Sequence, residues 1–107
     1  MKNLIIIFLL FVGIVSAQIE VIHFNAGWNS SNNVKWVDEL NDCEIEYIDI
    51  AENTKAQNKY EITVVPTIII LDDGEEDERY EADISFSMKA TREEVQEHID
   101  ELIINKF

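Results

Sequence analysis

The stretch Phe24-Asn25-Ala26-Gly27-Trp28-Asn29-Ser30-Ser31-Asn32, read with Val64-Val65-Pro66-Thr67, constrains this chain more than any other part of it. Residues 19–24 form an apolar-rich run, dense enough for a strand covered on both faces. Beyond the turn, Val34 and Val37, then Trp36 and Leu40, recur at three- and four-residue spacings, the period of a helix expected over residues 32–41. Strand, turn and helix start follow one another, so a site would be built at the turn. Pro66, the only proline, stands ahead of a second apolar run, residues 68–71. A proline suits the head of a strand, where a ladder hydrogen bond is not required.

With Phe24, Ala26, Trp28, Pro66 and Thr67 in these places, the chain resembles the thioredoxin family, and the interval from residue 44 to residue 67 fits that pattern without a gap. The resemblance covers most of residues 19–107. It implies an α/β, thioredoxin-like fold, with a mixed central sheet of about four strands flanked by helices; the strand-helix unit that commonly precedes the first strand in such proteins is expected to be lacking once residues 1–17 are removed. It also implies a cis peptide bond before Pro66 that brings Val65 beside the Asn29 turn. In that family the backbone of the residue before this proline pairs with an extended peptide, a contact made by main-chain groups.

The chain departs from the family where the chemistry sits, because the two positions that should be cysteine are Asn29 and Asn32. Disulfide exchange needs an attacking thiolate and a second, resolving sulfur, and an amide has no such redox couple. Asn29 is expected to retain one duty of the position by capping the first turn of the helix with its side-chain oxygen. The expected partner-binding groove is Trp28, Asn29, Ser30, Asn32, Val65 and Pro66, with no catalytic residue, no metal and no cofactor. The partner would be a protein or an extended peptide, held by a chaperone-like binder or by a fixed subunit of an assembly. The competing expectation is a thiol-disulfide oxidoreductase acting through Cys43 or with cysteines supplied by a partner.

Met1-Lys2-Asn3, an apolar run over residues 4–15 and the small residues of Val15-Ser16-Ala17 have the form of a secretory signal peptide, residues 1–17, cut between Ala17 and Gln18. The expected location is therefore secreted or periplasmic, with residues 18–107 as one thioredoxin-like domain. The run falls short of the roughly 20 apolar residues of a comfortable span. An uncleaved membrane anchor and an additional buried strand remain as alternatives. All 22 acidic residues but only seven of the eight basic ones follow Ala17, a formal charge of −15. Such a surface repels nucleic acid and anionic lipid, so direct nucleic-acid binding is not expected.

His23 interrupts the first strand and reads as a hydrogen-bonded interior residue, with a pH-sensitive group near the groove as the alternative. Asn29-Ser30-Ser31 matches the N-glycosylation triplet, although its place at a helix start argues against a glycan. Cys43, the only cysteine, opens a second parallel strand over residues 43–50 and reads as a small buried hydrophobe. Asn53 is a cap for a short helix up to Tyr60. Asp73-Gly74 is a hairpin signal, followed by a return strand over residues 76–83 at the sheet edge.

Eight of the twelve residues 72–83 are acidic, with spacing that matches no EF-hand loop; the run reads as solvated edge protection, with a basic partner surface as the alternative. After a loop at residues 85–90 that leaves Phe86 and Met88 exposed, Thr91-Arg92-Glu93-Glu94 fits a capping box. Val95, Ile99, Leu102 and Ile103 then make a core-facing stripe. Two histidines without a second cysteine make no zinc set.

Overall fold

The computed structural model describes residues 18–106. The signal peptide, anchor or extra strand expected of residues 1–17 lies outside them. Four strands form one sheet in the order β2-β1-β3-β4: β1 (Ile19–Asn25), β2 (Glu44–Asp49), β3 (Thr67–Asp72) and β4 (Glu75–Glu81). β1 runs parallel to β2 and antiparallel to β3, and β4 is antiparallel to β3, so the sheet is mixed.

Alternation along the two central strands builds two cores. Ile19 and Val21 of β1 join Ile68 and Ile70 of β3 on one face, under Val95 and Ile99 of the helix α2 (Arg92–Asn105). Ile22 and Phe24 join Ile69 and Leu71 on the other, with Ala56 of the helix α1 (Thr54–Lys59) and Ile62. Residues 21–24 of β1 are all buried, as a strand covered on both faces requires.

Local signals act where their chemistry predicts. Asn53 accepts from the Ala56 N–H at 3.0 Å and caps α1. Thr91 and Glu94 exchange hydrogen bonds of 3.2 Å with each other's backbone N–H, a complete capping box. Asp73 and Gly74 both take the left-handed φ that a tight two-residue hairpin needs, and the glycine tolerates it without a Cβ clash. β4 is an edge strand, and its glutamates and aspartate stand mostly in solvent.

One expected element is absent. Instead of a helix over residues 32–41, the chain makes two 3-10 helices, Gly27–Asn32 and Lys35–Glu39, joined through an extended Asn33 and Val34. The break has a cause in the hydrogen bonding. The Val34 N–H is taken at 3.0 Å by His23 Nε2, so it cannot join a helical ladder. The run Asn29-Ser30-Ser31-Asn32-Asn33 consists of residues whose short polar side chains compete with backbone bonding.

Candidate functional site

The carboxyl end of β1 delivers Asn25 into a turn whose asparagines bond to one another. Asn25 Nδ2 donates to the Asn29 carbonyl at 3.1 Å and to Asn33 Oδ1. Asn29 Nδ2 donates back to Asn25 Oδ1 at 3.1 Å, and Asn32 Nδ2 donates to Asn29 Oδ1 at 2.8 Å. Asn29 is 5% exposed, so it sits inside this web. It is not a helix cap. Its oxygen is used by a side chain, the N-cap of the first 3-10 helix is Ala26, and Ala26 has no side-chain cap. The glycosylation reading of Asn29 meets the same obstacle, because the amide nitrogen that would carry a glycan is buried and already donating.

The peptide bond before Pro66 is cis, and Val65 lies beside the turn: Asn29 Nδ2 reaches the Val65 carbonyl at 3.5 Å. The same amide donates to the Phe86 carbonyl at 3.2 Å. Phe86, at φ 61, stands edge-on to Trp28 with ring centroids 5.4 Å apart. Two distant segments therefore converge on one asparagine side chain of the turn. The expected exposure of Phe86 is real but incomplete, and Met88 packs against the core.

The six expected groove residues do not share one surface. Trp28 and Val65 line an open cleft of about 340 Å³, together with Ala51, Ile62, Thr63 and Phe86. Asn29 and Pro66 are buried and are not among its lining residues. Ser30 faces a separate polar cleft of about 260 Å³ with His23, Asn25, Tyr47 and Asp49, and Asn32 borders a third hollow near Trp36 and Met88. Trp28, at 68% exposed, is the one large aromatic of the turn offered to solvent. The Val65 N–H has no hydrogen-bond partner among the described residues, and Pro66 can donate none.

Sequence reasoning missed Asn25, Asn33 and Phe86. Four asparagines at positions 25, 29, 32 and 33 were a visible signal for the first two. Nothing local pointed to Phe86, which reaches Asn29 across 57 residues.

His23 is 2% exposed, accepts from the Val34 N–H and packs against Tyr47 with centroids 5.1 Å apart. Burial holds its pKa below the usual 6.5. A histidine whose folded pKa is depressed binds its proton more readily when unfolded, so its contribution to stability is whole above the unfolded pKa. That contribution is lost as pH falls from there through the folded value. Acidification from about pH 7 to about pH 5 should therefore lower the Tm of the wild type more than that of His23→Gln, which keeps an acceptor but does not titrate. Equal slopes in paired melting curves would contradict this assignment.

Cys43 lies at the far end of the sheet. Glu44 pairs with Glu20 at the start of β1, and at roughly 3.3 Å per strand residue about 20 Å separate this end from the Asn29 turn. The thiol is half-buried against the core and its pKa is pushed up to about 11, first by burial and then by Asp42 and Glu44. Alkylation by iodoacetamide at neutral pH should run about a hundredfold slower than for a free thiol. Labelling at the rate of free cysteine would contradict this environment. Among the described residues no three His, Cys, Asp or Glu side chains are arranged to hold a metal.

No protein-family model and no curated protein matches the chain. Solved structures do. A mutant thioredoxin from Halobacterium salinarum NRC-1 superposes with TM-score 0.63 at 21% identity over 79% of this chain and 74% of its own. Thioredoxin-2, described as a component of malaria parasite protein secretion machinery, gives 0.65 at 18% identity over 78% and 82%. The thioredoxin of Fasciola hepatica gives 0.57 at 24% over 85% and 86%. At these identities the likeness is one of architecture. The chain has the thioredoxin-like fold, and with a single cysteine it carries no Cys-x-x-Cys pair.

Proposed function

We propose that this chain is a redox-inactive protein-binding module, which holds an extended apolar segment of a partner in the cleft between Trp28 and residues 63–65. The observation that carries the reading is the exposed Trp28 indole opposite the backbone of Val65, whose N–H has no partner among the described residues. A strand-like segment laid there would pair with main-chain groups and seat apolar side chains on Trp28, Ala51 and Ile62. Glu52 and Glu61, exposed next to two of those lining residues, favour basic residues flanking the apolar segment. One cysteine excludes a Cys-x-x-Cys exchange within the chain.

The module works outside the cytoplasm, secreted or periplasmic, once the leader is removed after Ala17. It acts either as a chaperone-like binder or as a fixed subunit. The description of the malaria parasite thioredoxin-2 as a component of secretion machinery supports the second role for this fold.

Fluorescence anisotropy with a labelled, unfolded basic polypeptide whose cysteines are reduced and carboxamidomethylated separates binding from exchange. Saturable binding supports the module. No binding, together with insulin-disulfide reduction that disappears in Cys43→Ser, would support the oxidoreductase instead.

Phe86 modulates the cleft. Its left-handed backbone costs an aromatic residue about 1–2 kcal/mol, and its edge contact with Trp28 returns about 1 kcal/mol. Phe86→Gly should leave stability within about 1 kcal/mol of wild type. By freeing the Trp28 indole from its edge contact, it should tighten polypeptide binding about fivefold. Weaker binding in that variant would show that Phe86 is part of the docking surface instead.

A further inference from the structure

We propose that Gln18 is a modification site at which the processed chain closes its own N-terminus into a pyroglutamyl lactam, assisted by Lys106. The inference stands apart from the cleft and rests on cleavage after Ala17, which makes Gln18 the first residue.

The surroundings of Gln18 are built by three parts of the fold. Its carbonyl accepts from the Asp73 N–H of the β3–β4 hairpin at 3.1 Å, so the residue is fixed to the sheet before β1 begins. Its side-chain Oε1 accepts at 3.1 Å from Lys106 Nζ, which follows the last turn of α2. Lys106 is itself held at 2.7 Å by Asp72 Oδ1. The ammonium is therefore steered onto the amide oxygen by a carboxylate across the sheet, and Gln18 is half-buried among these contacts.

The chemistry needs no co-reactant. The lone pair of the neutral α-amine attacks Cδ of the Gln18 side chain and forms a new C–N bond. Charge gathers on Oε1 in the tetrahedral adduct. The old C–N bond to the side-chain nitrogen then breaks, and that nitrogen leaves as ammonia with the proton given up by the α-amine. No atom changes oxidation state. Lys106 Nζ sits on the oxygen where the charge develops, which is the placement an oxyanion donor requires. The lactam keeps this oxygen, so the Lys106 contact survives the reaction.

The test is to cleave the purified full chain in vitro with signal peptidase and follow intact mass with time. The expected result is a product beginning at residue 18 that becomes lighter by one ammonia and resists stepwise N-terminal degradation. Cyclisation in the folded wild type should be about fivefold faster than in Lys106→Met or in the same product held unfolded in urea. This is a fraction of the hundredfold or more that a donor supplies in a water-excluded oxyanion hole. A product that keeps its ammonia, or equal rates in all three samples, would overturn the proposal. Cleavage at another bond would overturn it too, and the mass identifies that failure separately while leaving the cleft untouched.

Discussion

Replacing Asn29 by alanine is expected to lower the stability of the domain by about 3 kcal/mol, read as a fall of about 15 °C in Tm. The loss follows from the number of groups that one side chain satisfies. Asn25 Oδ1 and the Phe86 carbonyl accept from its amide, and Asn32 Nδ2 donates to its oxygen. Asn25, like Asn29, is 5% exposed, so removing the partner leaves a largely buried acceptor without its donor. Each orphaned buried group costs about 1–3 kcal/mol, whereas Asn32 and Phe86 are partly exposed and recover some of theirs from water.

Asn29→Asp should do no better. It keeps the acceptor for Asn32 but turns a donor into a charge aimed at Asn25 Oδ1 and the Phe86 carbonyl. Ser30→Ala, one residue along on the exposed side, should stay within about 0.5 kcal/mol of wild type. A thermal melt in which Asn29→Ala matched Ser30→Ala would mean that the amide web is not what holds the turn.

Trp28→Ala is expected to weaken binding of an unfolded, thiol-free polypeptide about thirtyfold, or about 2 kcal/mol, in the anisotropy assay. An exposed indole beside a cleft of this size is the kind of anchor that carries a large share of a binding energy. The effect on the fold should be small by comparison. Trp28 loses one edge contact with Phe86, about 1 kcal/mol, and leaves no buried polar group unsatisfied. The two substitutions therefore separate the roles of neighbouring residues. Asn29→Ala acts on stability, and Trp28→Ala acts on affinity at nearly constant Tm.

The fold was legible in the sequence because its central signals are short-range. The apolar runs of β1 and β3, the Asp73-Gly74 turn, the Asn53 cap and the Thr91-Glu94 box each depend on residues within a few positions of one another. The expected bounds of β2 and β4 were off by only one or two residues at each end.

What stayed hidden depends on contacts between distant parts of the chain. The helix expected over residues 32–41 was broken by His23, which reaches the Val34 N–H from a strand eleven residues earlier. The periodicity of Val34, Trp36, Val37 and Leu40 remained true of burial but did not dictate the backbone, because a 3-10 turn also brings apolar residues to one side.

The site was half legible. The amides at positions 29 and 32 were evident in the sequence, but their use was not. Asn29 works as a hub between Asn25, Val65 and Phe86, and two of those partners come from beyond residue 60. The grouping of Ser30 and Asn32 with Trp28 failed for a geometric reason. Asn29 interrupts the helical backbone at φ −113° and ψ 20°, so the side chains on either side of it leave the turn toward different hollows.

The central claim is that a polypeptide docks, without covalent exchange, along Trp28 and the backbone before Pro66. Amide and indole chemical-shift mapping of the labelled domain during titration with the reduced, carboxamidomethylated polypeptide tests it most directly. The account predicts saturable shifts confined to the Trp28 indole and to the amides of Ala51, Thr63, Val64, Val65 and Phe86, with the signals of β4 and of Cys43 unmoved. Shifts centred on the acidic edge strand or on Cys43, with Trp28 and Val65 unchanged at saturation, would contradict it.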